Sequence, residues 1–336
     1  MLVPFGAHTL DFPRHWVTRT DSRGEPLRVW ERYGMPRIDD FYLNNVFYLY
    51  KRPEDARDPN ADAFGTGFVV GFPGTLVKDY MHLYGVSNAH VVGFPTGAPV
   101  PRFNSGDGTY VRELEVTDWE PHPGGDDLAV ALLNMESPES DAIDIAYVTP
   151  EHFVSHSALD ARPMLGIGDD VFMIGMFLHQ PGVKRNHPSV RFGHISMIPD
   201  EAERIPQMQR SGFRQLSFLL DMRSLGGYSG SPVYVYRSRH AGTGIDASLL
   251  GIHWGALRDD DGLHTGMNGV VPAWKLWELL MTKKFVDQRK DDEERIAKKR
   301  RAPRGAATLD SVKAAANPHH ERDFTNLLQR AVKPPK

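Results

Sequence analysis

Three short segments of this chain carry residue types that together can open a carbonyl. In Gly227-Tyr228-Ser229-Gly230-Ser231-Pro232, glycines on both sides of a serine permit a tight turn that presents its hydroxyl. They also let the N–H groups of Gly227 and Ser229 point into one space, where the oxygen of a tetrahedral adduct would gather charge. A serine hydroxyl is a weak nucleophile near neutral pH, so it needs a base, and the base needs an orienting partner. In Gly85-Val86-Ser87-Asn88-Ala89-His90-Val91-Val92, a histidine follows a strand that ends in small and polar residues. In Asp126-Asp127-Leu128-Ala129-Val130, an acid opens an apolar strand, where Asp127 can accept an imidazole N–H and fix its tautomer. Asp126 is an adjacent competitor for that role. His152 and His156 have i,i+4 spacing but no third ligand, and His319-His320 reads as solvent-facing, so neither a metal nor another cofactor is expected.

The elements that must position these residues are short. From Asn45 onward the chain is a series of apolar runs bounded by turn residues: Val46–Tyr50, Gly67–Phe72, His82–Ser87, Thr109–Val116, Leu128–Leu133 and Ile145–Val148. A second set follows at Val171–Phe177, Val190–Met197, Phe213–Leu220, Pro232–Tyr236, Leu249–Trp254 and Gly269–Val271. Short strands punctuated by Gly and Pro predict an all-β sandwich or barrel pair, with no helical segments between them to build a parallel sheet. Residues 1–44 read as an N-terminal arm and 45–283 as the main domain. Ala273–Met281, after Pro272, has helical spacing. Residues 284–336 read as a charged tail, partly helical or disordered, whose Phe324, Leu327, Leu328 and Ala331 form a short amphipathic face.

The order His90, Asp127, Ser229 matches the chymotrypsin-type triad, and the elbow Gly-x-Ser-x-Gly fails because position 231 is serine. Over roughly residues 45–283 the chain resembles the trypsin-like serine proteases. Phe64-Gly65-Thr66-Gly67-Phe68-Val69 looks like the family's strand ahead of the histidine, and Gly168–Gly175 like the strand that opens the second barrel. The likeness implies an all-β fold of two six-stranded β-barrels with a C-terminal helix, and a serine endopeptidase acting through an acyl-enzyme. Gly227–Val233 and Gly251-Ile252-His253-Trp254-Gly255 bring the resemblance nearest to the bacterial glutamyl endopeptidase branch. It implies that Ser224, His253, Trp254 and Gly255 bind substrate and that cleavage follows Glu or Asp, with Arg223 adding charge if it turns inward. The bland alternative makes His253 a satisfied core histidine. Tyr228 stands where chymotrypsin itself has Asp, so the ion-pair switch of zymogen cleavage is not expected.

Composition sets the outer bounds. The net charge of −4 gives no global basic field, so nucleic acid is not an expected partner. The absence of cysteine removes disulfides, thiolate metal sites and a cysteine nucleophile. No apolar run approaches the roughly 18 residues of a membrane helix, and the start lacks a signal-peptide pattern, so a cytoplasmic location is expected. Partners expected are a protein or peptide substrate and a regulatory protein at the arm or tail. The competing function class is a catalytically silent protease-like binding module.

Overall fold

A computed structural model describes residues 38–301, apart from 59, 79, 94–98, 106–107, 134–144, 160–164, 179, 181, 183, 208–211, 225, 239–244 and 260. Two further short strands, β1 (Arg19–Thr20) and β2 (Pro26–Leu27), pair with one another. The rest of the expected arm before residue 38 and the amphipathic face at 324–331 lie outside the described residues.

The chain forms two antiparallel bodies; of the two six-stranded barrels expected, the second closes as one and the first is a seven-stranded sheet. The first contains β3 (Val46–Tyr50), β4 (Gly65–Pro73), β5 (Met81–Ser87), β6 (Val100–Ser105), β7 (Gly108–Val111), β8 (Glu120–Pro121) and β9 (Ala129–Leu132). They make a seven-stranded sheet in the order β7-β6-β3-β4-β5-β9-β8. Ile145–Val148 does not form a strand of its own; only Val148 bridges to Val70. The second body contains β10 (Asp170–Gly175), β11 (Ser189–Met197), β14 (Phe218–Met222), β15 (Pro232–Ser238), β16 (Ile245–Arg258) and β17 (His264–Pro272). These close into a six-stranded barrel, β10-β11-β14-β17-β16-β15. The run Phe213–Leu220 is split, because β12 (Ile205–Pro206) pairs with β13 (Arg214–Gln215) before β14 begins.

Short helices mark the chain's corners: α1 (Asp40–Leu43), α2 (Pro53–Arg57) and α3 (Ala89–Val92). At the C-terminal end, α4 (Ala273–Leu280) follows β17, close to the span predicted from its periodicity. The charged stretch then forms a 19-residue helix, α5 (Lys283–Arg301), which packs back onto the first body. Phe285, Arg289, Glu293 and Ile296 are its buried face. The Arg289 guanidinium lies 4.0 Å from the Phe72 ring centroid and donates to the Leu280 carbonyl at 2.9 Å.

Glu293 is the deepest anchor of that helix. Its carboxylate accepts the backbone N–H groups of Thr75 at 3.0 Å, Leu76, and Val77 at 2.9 Å, with His82 Nε2 3.2 Å away. Burial opposes its ionisation, yet those three N–H groups and His82 outweigh it and hold the carboxyl down to about 2. One apolar core crosses the boundary between the bodies, joining Phe68, Val86 and Val130 of the sheet to Phe172, Leu249, Trp254 and Val271 of the barrel. Leu276, Leu279 and Phe285 from the two C-terminal helices complete it.

Candidate active site

His90 and Asp127 come from the sheet. Helix α3 is a single turn anchored by Val91 and Val92 in the core, which leaves His90 between them and solvent. Asn88 occupies the N-cap position without capping, because its amide donates to the Asp127 carbonyl at 2.8 Å. Asp127 supplies the missing acceptor: Oδ1 takes the His90 backbone N–H at 2.9 Å, while Oδ2 lies 2.6 Å from His90 Nδ1. One carboxylate thus grips both the backbone and the ring of the histidine. A carboxylate can only accept, so the ring carries its proton on Nδ1 and leaves Nε2 as the basic nitrogen. Asp127 is 3% exposed and His90 20%, so the orienter is sealed in while the base stays reachable. The neighbouring acid is engaged elsewhere, with Asp126 Oδ2 3.1 Å from His122 Nδ1.

Ser229 lies on the loop between β14 and β15. Gly227 and Gly230 adopt φ of +96° and +85°, conformations that an L side chain strains to reach. Gly230 has a second reason to be glycine, since a Cβ there would sit 2.0 Å from the Thr66 carbonyl oxygen. The carbonyls of the loop are held. Gly227 O accepts the Thr66 hydroxyl at 2.8 Å, and Ser229 O accepts the Thr66 N–H at 2.9 Å. Tyr228 O accepts the Ser231 N–H at 3.0 Å and lies 3.0 Å from His253 Nδ1. The N–H groups of Gly227 and Ser229, by contrast, have no partner among the described residues. Two open donors in one turn with a serine are what a developing oxyanion would require.

The segments that carry His90 and Ser229 approach one another through β4, and among the described residues no hydrogen bond joins Ser229 Oγ to His90. Gly65 packs against Val91, next to His90, and a Cβ built on it would lie 3.6 Å from Ser229 O. His253 Nδ1 reaches the carbonyl of Tyr228, the residue before Ser229. Tyr228 is fully buried, its phenol hydrogen-bonded to Ser189 Oγ and to Arg191 Nε, the latter at 3.1 Å.

The residues expected to bind substrate divide. Ser224 Oγ donates to Asn268 Oδ1, and His253 Nε2 lies 3.1 Å from the same oxygen. His253 is buried, and its burial depresses the imidazole below its ordinary range against the pull of Asn268 and the Tyr228 carbonyl. Trp254 is fully buried with Nε1 on Ser217 Oγ at 3.1 Å, because the β16–β17 register shifts between His253 and Gly255. Only the backbone of that strand can face a ligand at Trp254. Gly255 is partly exposed, and Arg223 is exposed. His152 bonds Thr149 and His156 rests against the Trp274 ring, so the pair does not converge.

Three positions were missed. Thr66 lies inside a segment singled out for its glycines. Gln215 Oε1, fully buried, accepts the Asp127 N–H at 2.9 Å and the Gln207 side chain at 2.7 Å. A lone amide within the apolar run 213–220 was the available signal, since a buried polar group must find partners. Asn268 had no signal in its neighbours.

No protein-family model matches the chain, and no curated protein matches it. Solved structures do match. The HtrA-type protease AlgW with a tripeptide is 17% identical with a TM-score of 0.43, over 73% of this chain and 62% of that one. The active form of the M. tuberculosis protease Rv3671c is 19% identical with a TM-score of 0.42, over 82% of this chain and 93% of that one. This chain thus spans less than two thirds of the HtrA-type protease, and at such identities and scores neither likeness carries an activity to it.

Proposed function

We propose that the protein is a serine endopeptidase. Ser229 Oγ attacks the peptide carbonyl, and His90 Nε2 takes the hydroxyl proton as the C–O bond forms. The oxyanion rests on the Gly227 and Ser229 N–H groups. Collapse breaks the C–N bond, and His90 returns the proton to the departing amine, leaving an ester on Ser229. Water then attacks the ester by the same route, giving a carboxylic acid and free Ser229. The observation that carries this reading is the double grip of Asp127 on His90, which fixes both ring and tautomer. Ser229→Ala is expected to abolish peptide cleavage and fluorophosphonate labelling without changing the far-UV spectrum or Tm. Undiminished cleavage by that variant would refute the assignment, and a wild-type protein that resists the probe would favour a silent binding module.

A preference for Glu or Asp before the scissile bond is the finer part of the proposal. It is supported by Ser224 Oγ and His253 Nε2 meeting on one oxygen of Asn268, an arrangement that a carboxylate oxygen could take over. A neutral His253 has one N–H for two oxygen neighbours, the Tyr228 carbonyl and Asn268 Oδ1, and both ring nitrogens are already occupied without substrate, as the bland reading has it. A fluorogenic peptide panel decides: faster cleavage after Lys or Phe than after Glu removes the acidic preference and leaves the endopeptidase intact.

A further inference from the structure

Thr66 has a role that none of the nucleophile, the base or the orienter fills. It lies on β4, in the sheet, and is fully buried. Its hydroxyl donates to Gly227 O at 2.8 Å and accepts the Met176 N–H at 3.0 Å, just past the end of β10 in the barrel. Its backbone N–H reaches Ser229 O at 2.9 Å, and its carbonyl accepts the Ser87 hydroxyl at 2.8 Å, three residues before His90. One residue therefore ties the loop that carries the nucleophile to the strand that leads into the base.

The geometry explains why a hydroxyl is needed there. Gly227 at φ +96° has a wide choice of conformations, and nothing intrinsic to glycine holds it in this one. Thr66 fastens Gly227 O and Ser229 O, and Tyr228 O sits on the Ser231 N–H, so the peptide planes that follow Gly227, Tyr228 and Ser229 are each pinned. Ser229 N–H is then held on the side away from those acceptors, and Gly227 N–H also stays unpaired among the described residues. Space is fixed as tightly: a Cβ at Gly175 would lie 2.0 Å from Ser231 Oγ, 2.9 Å from Tyr228 Cδ1 and 3.2 Å from Thr66 Oγ1. We infer that the Thr66 hydroxyl is a positioning group for the anion-binding N–H pair, so that the loop is set by a contact from the other body. This deepens the endopeptidase reading and rests on it for its kinetic consequence.

Thr66→Val keeps the shape and removes both hydroxyl contacts, whereas Thr66→Ser keeps the hydroxyl. Misplaced donors act on the transition state more than on bound substrate, so T66V should lower kcat roughly 10- to 100-fold with KM nearly unchanged. T66S should stay within about threefold of wild type. A crystal structure of T66V supplies the readout that needs no activity, and Gly227 is expected to leave its positive-φ conformation. A T66V loop superimposable on the wild type overturns the inference, whatever the kinetics. So does a T66V loss equal to that of T66S, or one confined to KM. If wild-type protein cleaves no peptide while the T66V loop rearranges, the positioning role stands and the endopeptidase reading falls.

Discussion

The two bodies hold themselves together by different means. The barrel closes hydrogen bonds around all six strands and so has no free edge, and its interior is filled by Val171, Met173, Phe218, Leu220, Val233 and Leu250. The sheet runs from β7 to β8 without pairing its outer strands to one another, among the described residues, and α5 is laid against it. That helix is anchored by charge: Glu293 on three backbone N–H groups and Arg289 over Phe72. The loop of the proposed nucleophile, Ser229, belongs to the self-contained body, and the proposed base, His90, to the strapped one. A charged strap makes the sheet the more sensitive to single polar substitutions, while the barrel answers to packing.

The largest expected effect separates the site from the scaffold on the sheet's side. Asp127→Asn keeps the shape but offers an amide N–H to His90, favouring the wrong tautomer. We expect kcat to fall by about 10⁴, with the urea midpoint little changed. A loss of less than tenfold would show that Asp127 does not orient the base.

Next comes the strap. Glu293 is pulled from its ordinary 4.5 to about 2, so its contribution is complete above pH 4.5 and is lost as pH falls toward 2. The size of that shift corresponds to about 3 kcal/mol. Glu293→Gln should show this loss at pH 7 already, with a flattened acid limb, and hydrogen exchange should quicken in β4 and β5 more than in β14 and β17. Equal quickening in both bodies would erase the contrast drawn above. The barrel has its own acid window through His253. Its pKa is depressed below 6.5, so the unfolded chain binds that proton more readily, and stability falls as pH drops below 6.5.

The smallest effect is expected inside the barrel wall. Ser231 Oγ is buried with no hydrogen-bond partner among the described residues. Ser231→Ala removes an unsatisfied group, so Tm should hold or rise slightly. A fall of several degrees would reveal a hydroxyl contact essential to the loop.

The sequence was most informative where chemistry needs a local motif. Gly227–Pro232 and Asn88–Val92 announce tight turns, and their order along the chain with Asp127 exposed the candidate triad. Strand runs such as Val46–Tyr50 were legible because burial on both faces leaves continuous apolar stretches. What stayed hidden depends on partners distant in sequence. Thr66 meets Gly227 across 161 positions and Asn268 meets His253 across a shifted register, and neither pairing leaves a local trace. A helix in the charged tail was among the expectations, but the docking of α5 stayed hidden for another reason. Two of its four buried positions, Arg289 and Glu293, are charged, so its inward stripe has no hydrophobic periodicity to read.

The late position of that strap sets an order of assembly. The last strand of the sheet ends at Leu132 and α5 begins at Lys283, so about 150 residues must be synthesised between the surface and its cover. At roughly 5–20 residues per second, the nascent sheet waits on the order of 10–30 s with Phe72 and Tyr84 unshielded. The sheet is thus made first and finished last, and it is the part of the chain for which a ribosome-associated chaperone has the most to protect.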